Sequence, residues 1–205
     1  LTMLGSMTMI VSPGAVGKST FGILIGVSVA LGRGDMIPGY SSVKRGNVLV
    51  MNSEDDEYEL QRRLAGVLSV YGIEPGELKG KYYLQSLYGQ MKPVRLAQYE
   101  RAEDKVSAGV LVGELVEYCI ERNIKLIILD PFISFHNVPE NANEHMEEVL
   151  TILRRLAVDT GAALIAVHHT GKTGGDAEAH AGEADSGRGA SAISWAARTI
   201  KTLAR

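Results

Sequence analysis

The chain has 205 residues, of which 45% are hydrophobic and 22% charged, a composition typical of one soluble globular domain. Its formal net charge of -3 at pH 7 excludes a general attraction to nucleic acid or to an anionic membrane, so DNA would have to contact a local patch. Cys119 is the only cysteine, which excludes an internal disulfide and predicts a reducing, cytoplasmic location. No uninterrupted apolar run approaches the roughly 18 residues of a membrane span, and we expect no membrane association.

Short apolar runs alternate with helical patterns in the first half of the chain. The pattern predicts a strand over residues 7–11, a helix from 18 to 32 or 34, a strand over 47–52 and then an amphipathic helix. A short strand over 82–87 follows, and the polar stretch over 88–104 carries no clear pattern.

The same alternation continues to the end of the chain. It predicts a helix over 107–122, a strand over 125–130, an amphipathic helix ended by Gly161, a strand over 162–167, a Gly-rich loop over 171–189 and a strand over 197–203. This order predicts an α/β fold, with a doubly wound, mainly parallel sheet and helices on both faces. We expect residues 1–205 to form a single domain, the core of a longer protein, because the sequence opens and closes almost in strands.

A glycine-containing loop between the first predicted strand and the first predicted helix carries the strongest motif. The loop comprises Ser12, Pro13, Gly14, Ala15, Val16, Gly17, Lys18, Ser19 and Thr20. Glycines let successive backbone N–H groups point inward around phosphate oxygens, a lysine reaches the β- and γ-phosphates, and a serine hydroxyl ligates Mg²⁺. The usual pattern is G-x-x-x-x-G-K-S/T, and Ser12 here stands where its first glycine would be. The motif predicts a phosphate-binding loop for ATP and Mg²⁺; the alternative is a chance Gly-rich turn.

Three further predicted strands end in polar residues. Glu54 follows the second strand, Asp130 ends a third, and His168 and His169 follow a fourth. Ligands of parallel α/β sheets bind beyond the carboxyl ends of the strands, so these side chains and the loop are expected at one edge.

Each of these residues has a functional and a structural interpretation. A carboxylate at Asp130 is suited to hold Mg²⁺ opposite Ser19, whereas an Asp before a proline also caps turns. Glu54 is a candidate for activating the attacking water. Alternatively, Ser53 is the N-cap of the next helix, and the acids after it only stabilise the positive end of that helix. Asp55 and Asp56 stay open as the catalytic acid.

The remaining candidates are two histidines and an arginine. One of His168 and His169 would sense the γ-phosphate, or both are structural. Arg188 would stabilise the charge that develops on a neighbouring subunit's γ-phosphate, or it is a solvated loop residue.

The ordered motifs together resemble RecA-type ATPases, and most closely the plasmid RepA-type hexameric replicative helicases. The resemblance covers nearly the whole chain and is carried by Ser12 to Ser19, Asn52-Ser53-Glu54-Asp55, Leu129-Asp130, Phe135-His136, Glu140-Asn141-Ala142, His168-His169 and residues 186–191.

The resemblance implies a role for each matching residue. Lys18 and Ser19 would bind phosphate and Mg²⁺, Glu54 would be the catalytic glutamate and Asp130 the second metal-site acid. It further implies that His169 couples the γ-phosphate state to the loop after it and that Arg188 is a finger inserted into the adjacent subunit. Arg63 matches a basic position near that interface.

The resemblance also implies partners. The chain would form a homo-oligomeric ring, a hexamer in these helicases, and residues 171–187 would face single-stranded DNA. This loop departs from a DNA-binding composition, because it carries four acids (Asp176, Glu178, Glu183 and Asp185) and one base, Lys172.

Three functions follow as hypotheses. The first is an ATP-driven helicase that acts on single-stranded DNA. The second is a regulatory or loader ATPase that binds nucleotide and protein partners without moving along DNA, which the acidic loop favours. A strand-exchange recombinase ranks lowest, because the sequence contains no additional DNA-binding domain.

Overall fold

A computed structural model describes residues 2–12, 16–139, 142–169 and 199–202, with the backbone alone described for His169. Its larger sheet contains six strands in the order β3-β2-β6-β7-β1-β8. These strands are β1 (Met7–Ser12), β2 (Asn47–Asn52), β3 (Tyr82–Ser86), β6 (Ile124–Asp130), β7 (Ala163–His169) and β8 (Thr199–Thr202). Every pair of neighbours is parallel, so all six carboxyl ends lie at one edge of the sheet.

Four helices and a small hairpin complete the described part of the chain. The helices are α1 (Lys18–Leu31), α2 (Glu57–Tyr71), α3 (Val112–Glu121) and α4 (Asn143–Thr160). The hairpin pairs β4 (Ala97–Glu100) with β5 (Lys105–Ala108) in antiparallel register. Short 3₁₀ turns occur at Gly34–Met36, Pro75–Leu78 and Phe132–Phe135.

The sheet is buried on both faces, which explains why its strands read as continuous apolar runs. On one face, Ile127 and Leu129 of β6 lie in the core that α3, α4 and the hairpin cover. On the other face, Leu126 and Ile128 of the same strand lie in the core that α1 and α2 cover. The predicted fold, a doubly wound parallel sheet with helices on both faces, is therefore confirmed.

The hairpin is the main departure from the predicted elements. The helix predicted over 107–122 begins only at Val112, because residues 107 and 108 belong to β5. The hairpin also lies largely within the stretch for which the sequence made no prediction. It is held by distant groups: the Tyr99 N–H donates to Asn137 Oδ1 (2.6 Å), and the Val106 N–H donates to Glu148 Oε2 (3.1 Å).

Other strand boundaries differ from the predicted ones by one or two residues. The strand β7 continues to His169, beyond the predicted end at 167, and β6 begins at Ile124. Within the described ranges, no helix has both the length and the apolar character needed to cross a bilayer.

Candidate functional site

The ends of the phosphate-binding loop lie at the carboxyl end of β1. Ser12 is the last residue of that strand and is buried. Gly17 has φ 86°, a left-handed conformation that side chains rarely adopt, and it precedes the first residue of α1. Pro13, Gly14 and Ala15 lie outside the described residues. The strand, the glycine and the helix therefore stand in the order that a phosphate-binding loop requires.

Lys18 is the first residue of α1 and is only 3% exposed. Its Nζ donates to the Ser12 carbonyl over 2.8 Å, so the side chain folds back across the loop. Burial lowers the pKa of the Lys18 ammonium, while the charges of Asp130 and Glu54 act to raise it. Both carboxylates therefore lie close to Lys18, and the three predicted site residues share one region of the molecule.

The rest of the predicted loop follows Lys18 directly. Ser19 lies in the first turn of α1 and is half-buried; Val16 is half-buried, and Thr20 is exposed. The positive end of the α1 dipole adds to the Lys18 charge at this position. This end of α1 is thus suited to polyphosphate.

Asp130 ends β6 with its side chain buried, and Asn52 holds it there. The Asn52 Nδ2 donates to Asp130 Oδ2 over 3.0 Å, and the Ser53 N–H donates to the Asp130 carbonyl over 3.0 Å. Asn52 and Asp130 are register partners in β2 and β6, which is why the amide reaches the carboxylate. Asn52 was not among the predicted site residues, although a polar residue at the end of an apolar strand is a visible signal in the sequence.

The three consecutive acids after β2 have three different environments in the structure. Asp56 is the N-cap of α2, because its Oδ1 accepts from the Glu59 N–H (2.8 Å); the predicted cap at Ser53 is therefore wrong. Asp55 forms an ion pair with Arg63 (3.1 Å). Glu54 is exposed, and it is the one of the three whose charge acts on the pKa of Lys18.

The loop that carries Glu54 is fixed by the other end of the Asn52 side chain. Asn52 Oδ1 accepts from the N–H groups of Glu54 (3.0 Å) and Asp55 (2.8 Å). One buried amide therefore orients Asp130 through its nitrogen and the Glu54 loop through its oxygen.

The described ion pairs of Arg63 are with two nearby acids, Glu59 and Asp55. Its Nε lies 2.7 Å from Glu59 Oε1 and its Nη2 lies 3.1 Å from Asp55 Oδ1. These ion pairs hold the start of α2 against the loop after β2. The predicted interface role of Arg63 stays a prediction.

The two histidines lie between the phosphate loop and Asp130, because β7 separates β1 from β6. The backbone of His169 is in register with Ser12, and its side chain is outside the described residues. The His168 ring is buried, with its centroid 5.9 Å from that of Phe132. Arg188 and residues 171–187 also lie outside the described residues, so their roles stay predictions.

The donor groups fit the predicted ligands. The Ser19 hydroxyl and the Asp130 carboxylate are hard oxygen donors, which Mg²⁺ prefers. Lys18 and the α1 N-terminus supply the positive charge that a triphosphate needs. Glu54 adds a carboxylate beside these groups, so the site combines phosphate binding with a candidate base.

A protein-family model described as an AAA domain matches residues 1–175 of the chain. The chain belongs to this AAA domain family. The match includes every described site residue, and together with the parallel α/β core it indicates a nucleotide-binding ATPase of the P-loop class. Residues 176–205, including Arg188, lie beyond the match.

Proposed function

We propose that this AAA domain is a Mg²⁺-dependent ATPase that works as a ring-shaped motor on single-stranded DNA, in the manner of the RepA-type helicases that its motifs resemble. The observation that carries the ATPase proposal is the convergence of Lys18, Asp130 and Glu54 at the carboxyl edge of the sheet, where Asn52 binds both the Asp130 carboxylate and the Glu54 N–H. The charges of both carboxylates also act to raise the pKa of Lys18. The ordered motifs from Ser12 to Arg188 support the helicase assignment.

In this proposal, Lys18 binds the β- and γ-phosphates, and Glu54 orients the attacking water and accepts its proton. The water oxygen forms the new bond to the γ-phosphorus, the bond to the β,γ-bridging oxygen breaks, and ADP retains that oxygen. Ser19 and Asp130 would hold Mg²⁺, which supplies neutralisation of the phosphate charge when bound. His169 would report the γ-phosphate state, and Arg188 of a neighbouring subunit would stabilise the developing charge.

The experiment is ATP turnover measured with and without single-stranded DNA, alongside the native mass of the assembly. We expect a ring to form with an ATP analogue, and turnover in that ring to rise when single-stranded DNA is added. A ring whose turnover ignores DNA would contradict the motor and leave the ATPase in place. Absence of any turnover would contradict both.

The second candidate function is a regulatory or loader ATPase that binds protein partners. Four acids in the loop over 171–187 favour it, since they repel a phosphate backbone. Slow turnover that DNA does not change, together with a protein partner recovered with the nucleotide-bound form, would support it against the helicase.

A further inference from the structure

A cleft of about 350 Å³ lies beside the nucleotide site, at the carboxyl edge of β2 and β6. None of the described residues of the phosphate-binding loop lines it. Its polar lining consists of Ser53, Gln90, Arg95, Ser134 and His136. None of the sequence motifs assigns a ligand to this cleft, although Ser53 directly precedes Glu54.

Arg95 supplies the positive charge of the cleft. Its side chain is half-buried, and no ion pair or side-chain hydrogen bond of its guanidinium occurs among the described residues. Its backbone is fixed on both sides: the Leu96 N–H donates to the Phe135 carbonyl (2.8 Å), and a Cβ on Gly109 would collide with the Arg95 carbonyl. The guanidinium therefore starts from a rigid position and lacks a protein partner within the described ranges.

His136 lines the same cleft as Arg95 and is more deeply buried than it. The residue is 4% exposed, and neither ring nitrogen makes a hydrogen bond of good geometry within the described ranges. The backbone of Val138 comes near enough to favour the protonated ring but does not complete a hydrogen bond. The hydroxyl of Ser53 is likewise buried without a described partner.

Such an arrangement needs a ligand or ordered water to explain it. A buried polar group without a hydrogen bond costs about 1–3 kcal/mol, and native proteins contain few of them. Counting partners among the described residues alone, three buried atoms of Ser53 and His136 at one cleft lack a hydrogen bond, and so does the Arg95 guanidinium beside them.

We propose that this cleft binds a phosphate group on Arg95, with His136 and the Ser53 hydroxyl completing its hydrogen bonds. The planar fork of an arginine matches two phosphate oxygens. The imidazole, the two hydroxyls and the Gln90 amide of the lining supply further hydrogen-bonding groups for the remaining phosphate oxygens. The phosphate belongs either to a free phosphate compound or to a nucleic-acid backbone, and the chemistry of the cleft is the same for both.

Two physical connections join the cleft to the nucleotide site. Ser53 donates its N–H to the Asp130 carbonyl and precedes Glu54 in the chain. The His136 ring lies 4.6 Å from the Phe132 ring, which in turn lies 5.9 Å from His168 (all between ring centroids). Phosphate in the cleft would therefore change ATP turnover; this coupling, unlike the binding itself, rests on the proposed ATPase function.

The test measures binding by calorimetry in the presence of saturating ADP, so that the phosphate-binding loop is already filled. One arm uses inorganic phosphate and the other a short single-stranded oligonucleotide without terminal phosphates. The variants are Arg95→Gln and Lys92→Gln, which remove the same charge from the same loop; Lys92 is exposed and does not line the cleft. Arg95→Lys keeps the charge and loses the planar fork of the guanidinium.

In parallel, the ring signals of His136 are followed by NMR and assigned by their loss in His136→Gln.

We expect at least one ligand to bind, with affinity at least ~10-fold weaker in Arg95→Gln, intermediate in Arg95→Lys and unchanged in Lys92→Gln. The His136 signals should shift with saturation of that ligand. Binding of phosphate alone identifies a free phosphate compound, and binding of the oligonucleotide identifies a backbone phosphate. The proposal is overturned if neither ligand binds, if Arg95→Gln and Lys92→Gln behave alike, or if His136 does not respond. Failure of ADP to bind would instead count against the proposed ATPase.

Discussion

The side-chain amide of Asn52 donates to the buried carboxylate of Asp130 over 3.0 Å, joining the carboxyl ends of two neighbouring strands. The same side chain accepts the N–H groups of Glu54 and Asp55, so it links the proposed metal-binding acid to the proposed base. Groups that orient metal ligands in this way are commonly worth about 10–100-fold in metal affinity or activity.

Replacing Asn52 should therefore impair ATP turnover more than replacing a hydrogen-bonded asparagine at the other end of the same strand. We expect Asn52→Ala to lower ATP turnover about 10–100-fold and stability by about 1–3 kcal/mol, because it removes the three hydrogen bonds that Asn52 makes with the N–H groups of Glu54 and Asp55 and with Asp130 Oδ2. The matched control is Asn47→Ala at the other end of β2, where the amide donates to the Arg122 carbonyl (2.7 Å). That control should lose stability and keep its turnover. Equal turnover in the two variants, measured as a function of Mg²⁺ concentration, would contradict the role given to Asn52.

The strands and most helices were predictable from sequence because each carries its own signal. β6 is a run of apolar residues that both faces of the sheet bury, and α4 has a clear apolar stripe. The hairpin over 97–108 lacks such a signal, because Asn137 and Glu148, distant in sequence, supply partners for its backbone. Only the folded chain brings those groups together.

The candidate site was predictable to a similar degree. Glu54 follows an apolar strand, Asp130 ends one, and Lys18 begins the helix after a third, so the parallel order places them at one edge. The distinction among Glu54, Asp55 and Asp56 required the fold, since it depends on Arg63 and on the true start of α2. The role of Asn52 required the register of β2 against β6.

Arg188 should act on the site of a neighbouring subunit. We expect Arg188→Ala to lower ATP turnover by about 10³–10⁵-fold with nucleotide binding nearly unchanged, because an arginine finger stabilises charge that develops only during transfer. Rings that mix Arg188→Ala subunits with Glu54→Gln subunits should regain turnover that neither variant has alone. Loss of nucleotide binding in Arg188→Ala, or mixed rings that stay inactive, would count against the finger.

His136 should make the stability of the protein fall in acid. Burial, with the nearby charges of His168 and Arg95, lowers the pKa of His136 from its ordinary 6.5 to about 4. The unfolded chain therefore binds a proton between these values that the folded chain does not, so stability is complete above pH 6.5 and decreases toward pH 4.

Urea unfolding at several pH values measures this effect. Between pH 7 and pH 4.5 we expect the wild type to lose ~2–3 kcal/mol more than His136→Gln, which cannot take up the proton. Parallel pH profiles for the two proteins would show that His136 is not buried in the neutral form.

Cys119 should be unreactive in the folded protein. The residue is 1% exposed in α3, and burial raises the pKa of its thiol to about 11. At pH 8 we expect alkylation about 100-fold slower than for an exposed thiol, on thiolate fraction alone. The control is Glu121→Cys in a Cys119→Ala background, which places a thiol on the exposed face of the same helix. Similar rates for the two thiols would contradict the packing of α3 against the sheet.

The central claim is that Lys18, Glu54 and Asp130 form one ATP-hydrolysing site, and the most direct measurement is ATP turnover and ATP affinity in Glu54→Gln. Glu57→Gln is the matched control, since it removes an equal charge three positions along the chain, in the first turn of α2. The account predicts that Glu54→Gln lowers turnover about 10²–10⁴-fold while ATP still binds, and that Glu57→Gln retains both properties. Wild-type turnover in Glu54→Gln, or an equal loss in the two variants, would contradict it.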